Sequence, residues 1–130
     1  MINVSFSTDM INRGLHTRAK LLRGLGDSSR LQVLEALRDG PLSAGEVVRR
    51  AGLSQPNASM HLRCLAECGL VTWEREGRLV HYRIADKQVI RLLDQTEELA
   101  LRVGPLIEAC PRYRQPWREP PPRVRRGGRR

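Results

Sequence analysis

The chain contains no run approaching the roughly 18 or more consecutive apolar residues that a membrane span requires. Its opening residues, MINVSFSTDM, lack the charged-then-apolar order of a secretory leader, so the protein is expected to be cytoplasmic. Three cysteines are too few and of the wrong parity for a disulfide framework, and in a reducing compartment they are expected to be free thiols. No nucleophile is paired with a base and no glycine loop is built to cradle phosphate, which argues against an enzyme.

With 130 residues the chain has material for one core and not two. It carries 23 basic and 14 acidic side chains, a net charge of +9. The surplus is concentrated at the end. From Arg112 onward there are eight arginines and one glutamate, which leaves only +2 for everything before. The segment PRYRQPWREPPPRVRRGGRR is too rich in proline, arginine and glycine to build a core. The reading is therefore a folded domain over residues 1–110 and a disordered basic tail over 111–130, suited to weak, salt-sensitive attraction to nucleic acid.

Taken in order, Ile11, Leu15, Leu22 and Leu25 recur at helical spacing and predict a first helix over about Asp9 to Leu25. Gly26 breaks it, and Asp27 caps a second helix, SSRLQVLEALRD, with Leu31, Val33, Leu34 and Leu37 on one side. Leu42 to Ala51 reads as a third helix, with Ser43 and Glu46 spaced as a capping box. Gly52-Leu53 leaves room only for a tight turn before Ser54, which caps a fourth helix with Pro56 in its first turn. Two short helices joined in this way form a helix-turn-helix pattern. After Gly69 come two β-type runs, Leu70 to Trp73 and Leu79 to Ile84, joined by Arg75-Glu76-Gly77-Arg78. Asp86 caps a last helix whose Val89, Leu92, Leu93, Thr96, Leu99, Ala100 and Val103 make a seam with spacing of three and four. A short turn or helix, LIEAC, follows Gly104-Pro105 and ends at Cys110. The fold class is mainly α with a small β-hairpin, a winged helix-turn-helix in the order α-α-α-α-β-β-α. The first and last helices are left to pair with a second subunit, so that a homodimer presents two reading helices to a near-palindromic site.

The stretch SQPNASMHLRCLAECGL carries two kinds of information. Ala58, Leu62 and Leu65 mark its buried stripe, and at about 100° per residue Cys64 lies roughly 120° and Cys68 roughly 90° from the middle of that stripe. Positions four apart on a helix hold their β-carbons about 6 Å from each other, so two thiolates there can converge on one ion. A single free cysteine is otherwise a small apolar filler, and the pairing off the stripe is what points to a ligand. The opposite flank, with Pro56, Ser59, Met60 and Arg63, is polar, slightly basic and free of acids.

From Leu25 to Asp86 the chain resembles the ArsR/SmtB family of winged-helix repressors. The resemblance rests on the D-x-x-R-L-x-V-L opening, the A-G-L-S-Q turn, the H-L-x-x-L-x-x-x-G-L-V helix and the E-G-R-x-V-x-Y-R-I hairpin, all present in order. It implies a homodimeric repressor that leaves operator DNA when an ion binds. Family sites on the third helix would need cysteines within SAGEVVRR, and there are none. Sites on the last helix would need histidine, and only Asp94, Glu97 and Glu98 are there. The C-x-x-x-C of the reading helix is similar to the cadmium- and lead-sensing branch of the family, which implies Cys64, Cys68 and Cys110 as ligands, the third from the other subunit.

Three thiolates suit Cd(II) or Pb(II), with trivalent arsenic also compatible. Zn(II) would need a fourth donor, from water or from His61 one turn before Cys64; His61 otherwise reads as a groove-side residue or as one that supports the ligands from behind. Expected DNA contacts are Ser54, Gln55, Asn57, Ser59, Met60 and Arg63 on the helix, with Arg75 and Arg78 on the wing. Two alternatives use the same residues differently: a thiol redox-sensing repressor on this fold, and a non-specific architectural DNA-binding protein that works through the tail.

Overall fold

A computed structural model describes residues 4–111; the basic tail, from residue 112, lies outside the described residues. The elements in order are α1 (Val4–Leu25), α2 (Ser28–Leu37), β1 (Leu42–Ser43), α3 (Ala44–Ala51), α4 (Gln55–Glu67), β2 (Val71–Glu76), β3 (Leu79–Ile84) and α5 (Lys87–Ala109). The winged helix-turn-helix class holds, with one strand added. β1 joins the hairpin as an antiparallel edge, pairing Leu42 with Tyr82 and Ser43 with His81, in the sheet order β1-β3-β2. Two residues carry no alternation to read, which is why the sequence assigned Leu42 to the third helix.

Other boundaries also move, each for a local reason. α1 begins at Val4 rather than near Asp9, because no proline or glycine interrupts the preceding residues. The hairpin turn is only Gly77-Arg78, since Arg75 and Glu76 are strand residues paired with Val80 and Leu79. Gly77 takes φ +60°, as a two-residue turn with glycine at its first central position needs. α5 runs through Pro105 to Ala109 instead of stopping there. Gly104, immediately before, has no Cβ to meet the proline ring, and a single missing N–H does not end the helix.

The helix caps are those the sequence indicates. Asp27 accepts from the Arg30 N–H at 3.0 Å, Ser54 from the Asn57 N–H at 3.4 Å and Asp86 from the Gln88 N–H at 2.8 Å. Gly52 closes α3 at φ +67°, its N–H donating to Val48 O at 3.1 Å, and this left-handed residue lets the chain turn directly into α4.

One core lies among α2, α3, α4 and the sheet. Val33, Leu34 and Leu37 from α2 meet Val47 from α3, Ala58, Leu62 and Leu65 from α4, and Leu42 and Val71 from the sheet. Side chains of this kind each contribute about 1.5–3 kcal/mol when fully buried. α5 adds Val89 and Leu93 to the core. It is also tied to α2 by Arg38, which pairs with Glu35 at 3.1 Å, with Glu97 at 2.9 Å and with Asp94. Beyond that the seam expected from the sequence divides, for Leu99 and Ala100 are exposed.

The capping box of α3 has a pH signature. The Ser43 N–H and hydroxyl donate to Glu46 Oε1 at 3.3 and 3.0 Å. These bonds, the backbone one first, hold the Glu46 carboxyl below its usual range. A carboxyl whose folded value is depressed contributes its stability above the unfolded value of about 4.3, and loses it as pH falls through the folded value. Glu46→Gln should therefore be less stable than the parent at pH 7 and should converge with it below about pH 4, as followed by urea unfolding across that range.

Candidate metal centre and nucleic-acid interface

α4 is held by a narrow stripe. Ala58, Leu62 and Leu65 are at most 2% exposed, and they anchor the helix on α2 and α3. The rest of its circumference is thereby left for other work. Ser54, Gln55, Pro56, Asn57, Ser59, Met60 and Arg63 are all exposed. The residues expected to read DNA are thus all open to solvent, with no acid among them. Arg75 and Arg78 are exposed on the hairpin, Arg75 on β2 and Arg78 at the turn.

The thiols lie toward the other end of α4. Cys64 is half-buried and Cys68 exposed, and both are free. Cys68 is the C-cap residue, its N–H donating to Cys64 O at 3.0 Å, and Gly69 follows at φ +76°. The second cysteine therefore sits on the end of the helix rather than within it. Shielding of its sulfur, then the neighbouring Cys64, push the Cys68 thiol above its ordinary value; Glu67 adds to this and the Arg30 guanidinium opposes it.

His61 lies beside the thiols but turns inward, so of its two expected places the groove side is excluded and a place behind them remains. It is 9% exposed, with Nε2 facing the Asp27 carboxylate at 4.0 Å. Its position 60° or so from the stripe centre brings it inward, where α2 begins. Together with the influence of Arg30 on Cys68, this places the thiol flank of α4 toward the start of α2.

Cys110 is half-buried and caps α5, its N–H donating to Ile107 O at 3.1 Å. Among the described residues of one chain, no three His, Cys, Asp or Glu side chains converge as a metal site. Cys64 and Cys68 are brought together, and Cys110 does not join them within the chain. Along α5, however, Cys110 follows Leu92 by about five turns and so continues the line of the exposed seam.

Sequence reasoning left two arginines unassigned. Arg49 and Arg50 lie exposed in the last turn of α3, the helix that crosses the phosphate backbone in this motif. The signal was available as an arginine pair ahead of the Gly52 turn.

A recognition helix set against a three-stranded wing, with an exposed acid-free reading face, defines a winged-helix DNA-binding protein. Residues 27–72 match the model of the bacterial regulatory protein, arsR family. The chain is 35% identical over 96 residues to a Streptomyces lividans protein named probable mercury resistance operon repressor, covering 74% of this chain and 77% of that one. It is 41% identical over 85 residues to the HTH-type transcriptional regulator CmtR of Mycobacterium tuberculosis, covering 65% and 72%. Its fold superposes with a TM-score of 0.64 on the solution structure of a homodimeric winged helix-turn-helix DNA-binding domain from Mycobacterium bovis, at 32% identity and covering 71% and 85%. The chain belongs to the arsR family of bacterial regulatory proteins, and it is a transcriptional regulator rather than an enzyme. No helix among the described residues is long and apolar enough to cross a membrane.

The raised Cys68 thiol gives a direct test of the flank. Alkylation of Cys68 by iodoacetamide, followed by mass spectrometry, should climb with pH later than that of a free cysteine peptide. Arg30→Gln should delay it further. A Cys68 profile that overlays the peptide would contradict the electrostatics described.

Proposed function

We propose that the protein is a metal-responsive transcriptional repressor that binds operator DNA as a homodimer and is released by a thiophilic ion. The ion is Cd(II) or Pb(II), held by Cys64 and Cys68 of one subunit and Cys110 of the other. The observation that carries this reading is the pair of adjacent thiols at one end of the helix whose other half presents the DNA-reading face.

The donor set fits a soft ion. Two thiols one helical turn apart supply part of the coordination, and neither imidazole nor carboxylate joins them among the described residues. With His61 turned toward Asp27, a fourth donor for Zn(II) would have to come from water. The mercury resistance relative is named for another soft ion, which agrees with thiolate chemistry of this class.

Completion across a dimer is supported by the surfaces left unpartnered. Met10, Ile11, Leu15 and Leu22 on α1 are more than half exposed, as are Leu99 and Leu106 on α5. Beside them, an open groove of about 450 Å³ runs along Leu21, Leu25, Leu70, Val89 and Leu92. Apolar area of this extent on two helices is costly in water and suits a subunit interface. Cys110 lies on the same line of α5, where a second subunit would carry it.

On DNA, Gln55, Asn57, Ser59, Met60 and Arg63 reach base edges, while Ser54, the first-turn amides of α4, Arg75 and Arg78 meet phosphates. Closing Cys110 of the partner subunit onto Cys64 and Cys68 shifts the spacing or tilt of the two reading helices. A coupling of about 1–3 kcal/mol, roughly 5- to 150-fold in operator affinity, is the ordinary size of such an effect. Since thiol protons must leave, and Cys68 holds its proton above the ordinary range, ion affinity rises with pH.

The test is a panel of Cd(II), Pb(II), Hg(II), As(III) and Zn(II), read by sulfur-to-metal absorption and by operator release. Cys64→Ser, Cys68→Ser and Cys110→Ser should each abolish release. Mixing Cys110→Ser subunits with Cys64→Ser/Cys68→Ser subunits should restore about a quarter of the parent absorption, because half the dimers then hold one complete site. Full release by ions in the double cysteine variant would overturn the reading. Release only under an oxidant, with no absorption band, would establish the redox alternative instead.

A further inference from the structure

Trp73 has no role in the core and none in the proposed sensor. It is 58% exposed, although an indole ordinarily buries much of its 150–250 Å² or so. Among the described residues its N–H has no partner. The strand register shows what surrounds it. Alternate residues of one strand and directly opposed residues of its neighbour share a face, so Val71, Trp73 and Arg75 lie on one side of the wing. That side starts in the core, where Val71 is 2% exposed and packed with α4, and leaves it within two residues.

The two faces of the wing differ in charge. Both acids of β2 lie on the outer face, where Glu74 pairs with Arg83 at 3.6 Å and Glu76 faces His81 at 3.9 Å. The inner face beyond the core carries an indole and Arg75, with no acid, and Arg75 makes no ion pair among the described residues. A duplex seated against the exposed face of α4 lies on the side of the wing that faces the helices. It would meet an arginine and a donor-only aromatic there, rather than two carboxylates.

We propose that Trp73 is a DNA-contacting residue, its ring lying against the deoxyribose-phosphate strand flanking the half-site and its N–H donating to a phosphate oxygen beside Arg75. The inner face of the wing, and not merely its tip, is then part of the DNA interface. The inference rests on DNA binding by the family fold and is independent of which ion is sensed.

The experiment uses the full chain with an operator duplex selected by that chain from a random-sequence pool. In a Trp117→Phe background Trp73 is the sole tryptophan, and its emission should change on adding the duplex while its quenching by acrylamide falls. Trp73→Ala should bind the duplex about tenfold more weakly, and Trp73→Phe, which keeps the ring but loses the N–H, about threefold. Neither removes a cation, so the slope of log affinity against log salt should stay at the parent value. Arg75→Gln should lower that slope by about one. Thermal unfolding checks that each variant is folded, and the Trp73→Phe and quenching results stand by themselves if the alanine variant is not.

Acrylamide access unchanged under saturating duplex, or parent affinity in Trp73→Phe and Trp73→Ala, would overturn the proposal. So would a Trp73 emission that responds to subunit dilution and not to DNA, which would place the ring in a subunit interface. Failure of the ion panel with success here would leave the DNA contact standing.

Discussion

The constraint on which the arrangement depends is how little of α4 is used to hold it. Three residues, Ala58, Leu62 and Leu65, lock the helix against α2 and α3, and their stripe covers only a fraction of its circumference. A wider apolar face would hold α4 more firmly and would leave no room for a reading face and a thiol flank on one element. The narrow stripe works because its neighbours are fully buried: Val33, Leu34 and Val47 are 0% exposed. Rigid packing at few points lets a helix keep its orientation while most of its surface faces elsewhere.

α5 shows the same economy. Its first half contributes Val89 and Leu93 to the core and is tied to the end of α2 through Arg38; its second half leaves Leu99, Leu106 and Ile107 uncovered. One continuous helix therefore belongs first to the DNA-binding core and then to whatever covers its far end. Cys110, at the far end, is joined by this one helix to the core that holds α4. Arg38 is the polar tie between α5 and the end of α2, and its three carboxylate partners keep it in place.

How much of this the sequence discloses depends on the range over which each signal acts. Caps are local, so Asp27, Ser43, Ser54 and Asp86 are legible from spacing alone, and each is found as its helix's N-cap. The buried stripe of α4 is legible because three apolar residues recur at helical period. β1 is not, since two residues acquire strand character only by pairing with β3, distant in sequence. The run of α5 through Pro105 is hidden because the punctuation by glycine and proline is a prior that continuing helix outweighs. Which of its two expected places His61 takes is hidden for a related reason. Its angle from the stripe is intermediate, and only the position of Asp27 across the α2 corner decides that it turns inward. The adjacency of Cys64 and Cys68 follows from period; the place of Cys110 relative to them does not, because it lies on another helix, far away in sequence.

The ends of α4 are not electrically equivalent, and this makes the placement of the thiols intelligible. A helix carries about half a unit positive charge at its N-terminus and half a unit negative at its C-terminus. The start of α4, with Ser54 and free first-turn amides, is suited to phosphate. Cys68 sits at the other pole, where the dipole opposes a thiolate and acts in the same direction as the shielding and the Cys64 neighbour that raise this thiol. A thiol kept protonated there remains neutral and less prone to oxidation. The start of α4 thus suits an anion such as a phosphate, and its far end suits a neutral thiol or a cation. The narrow buried stripe between them, packed on fully buried neighbours, joins the two ends in one rigid piece.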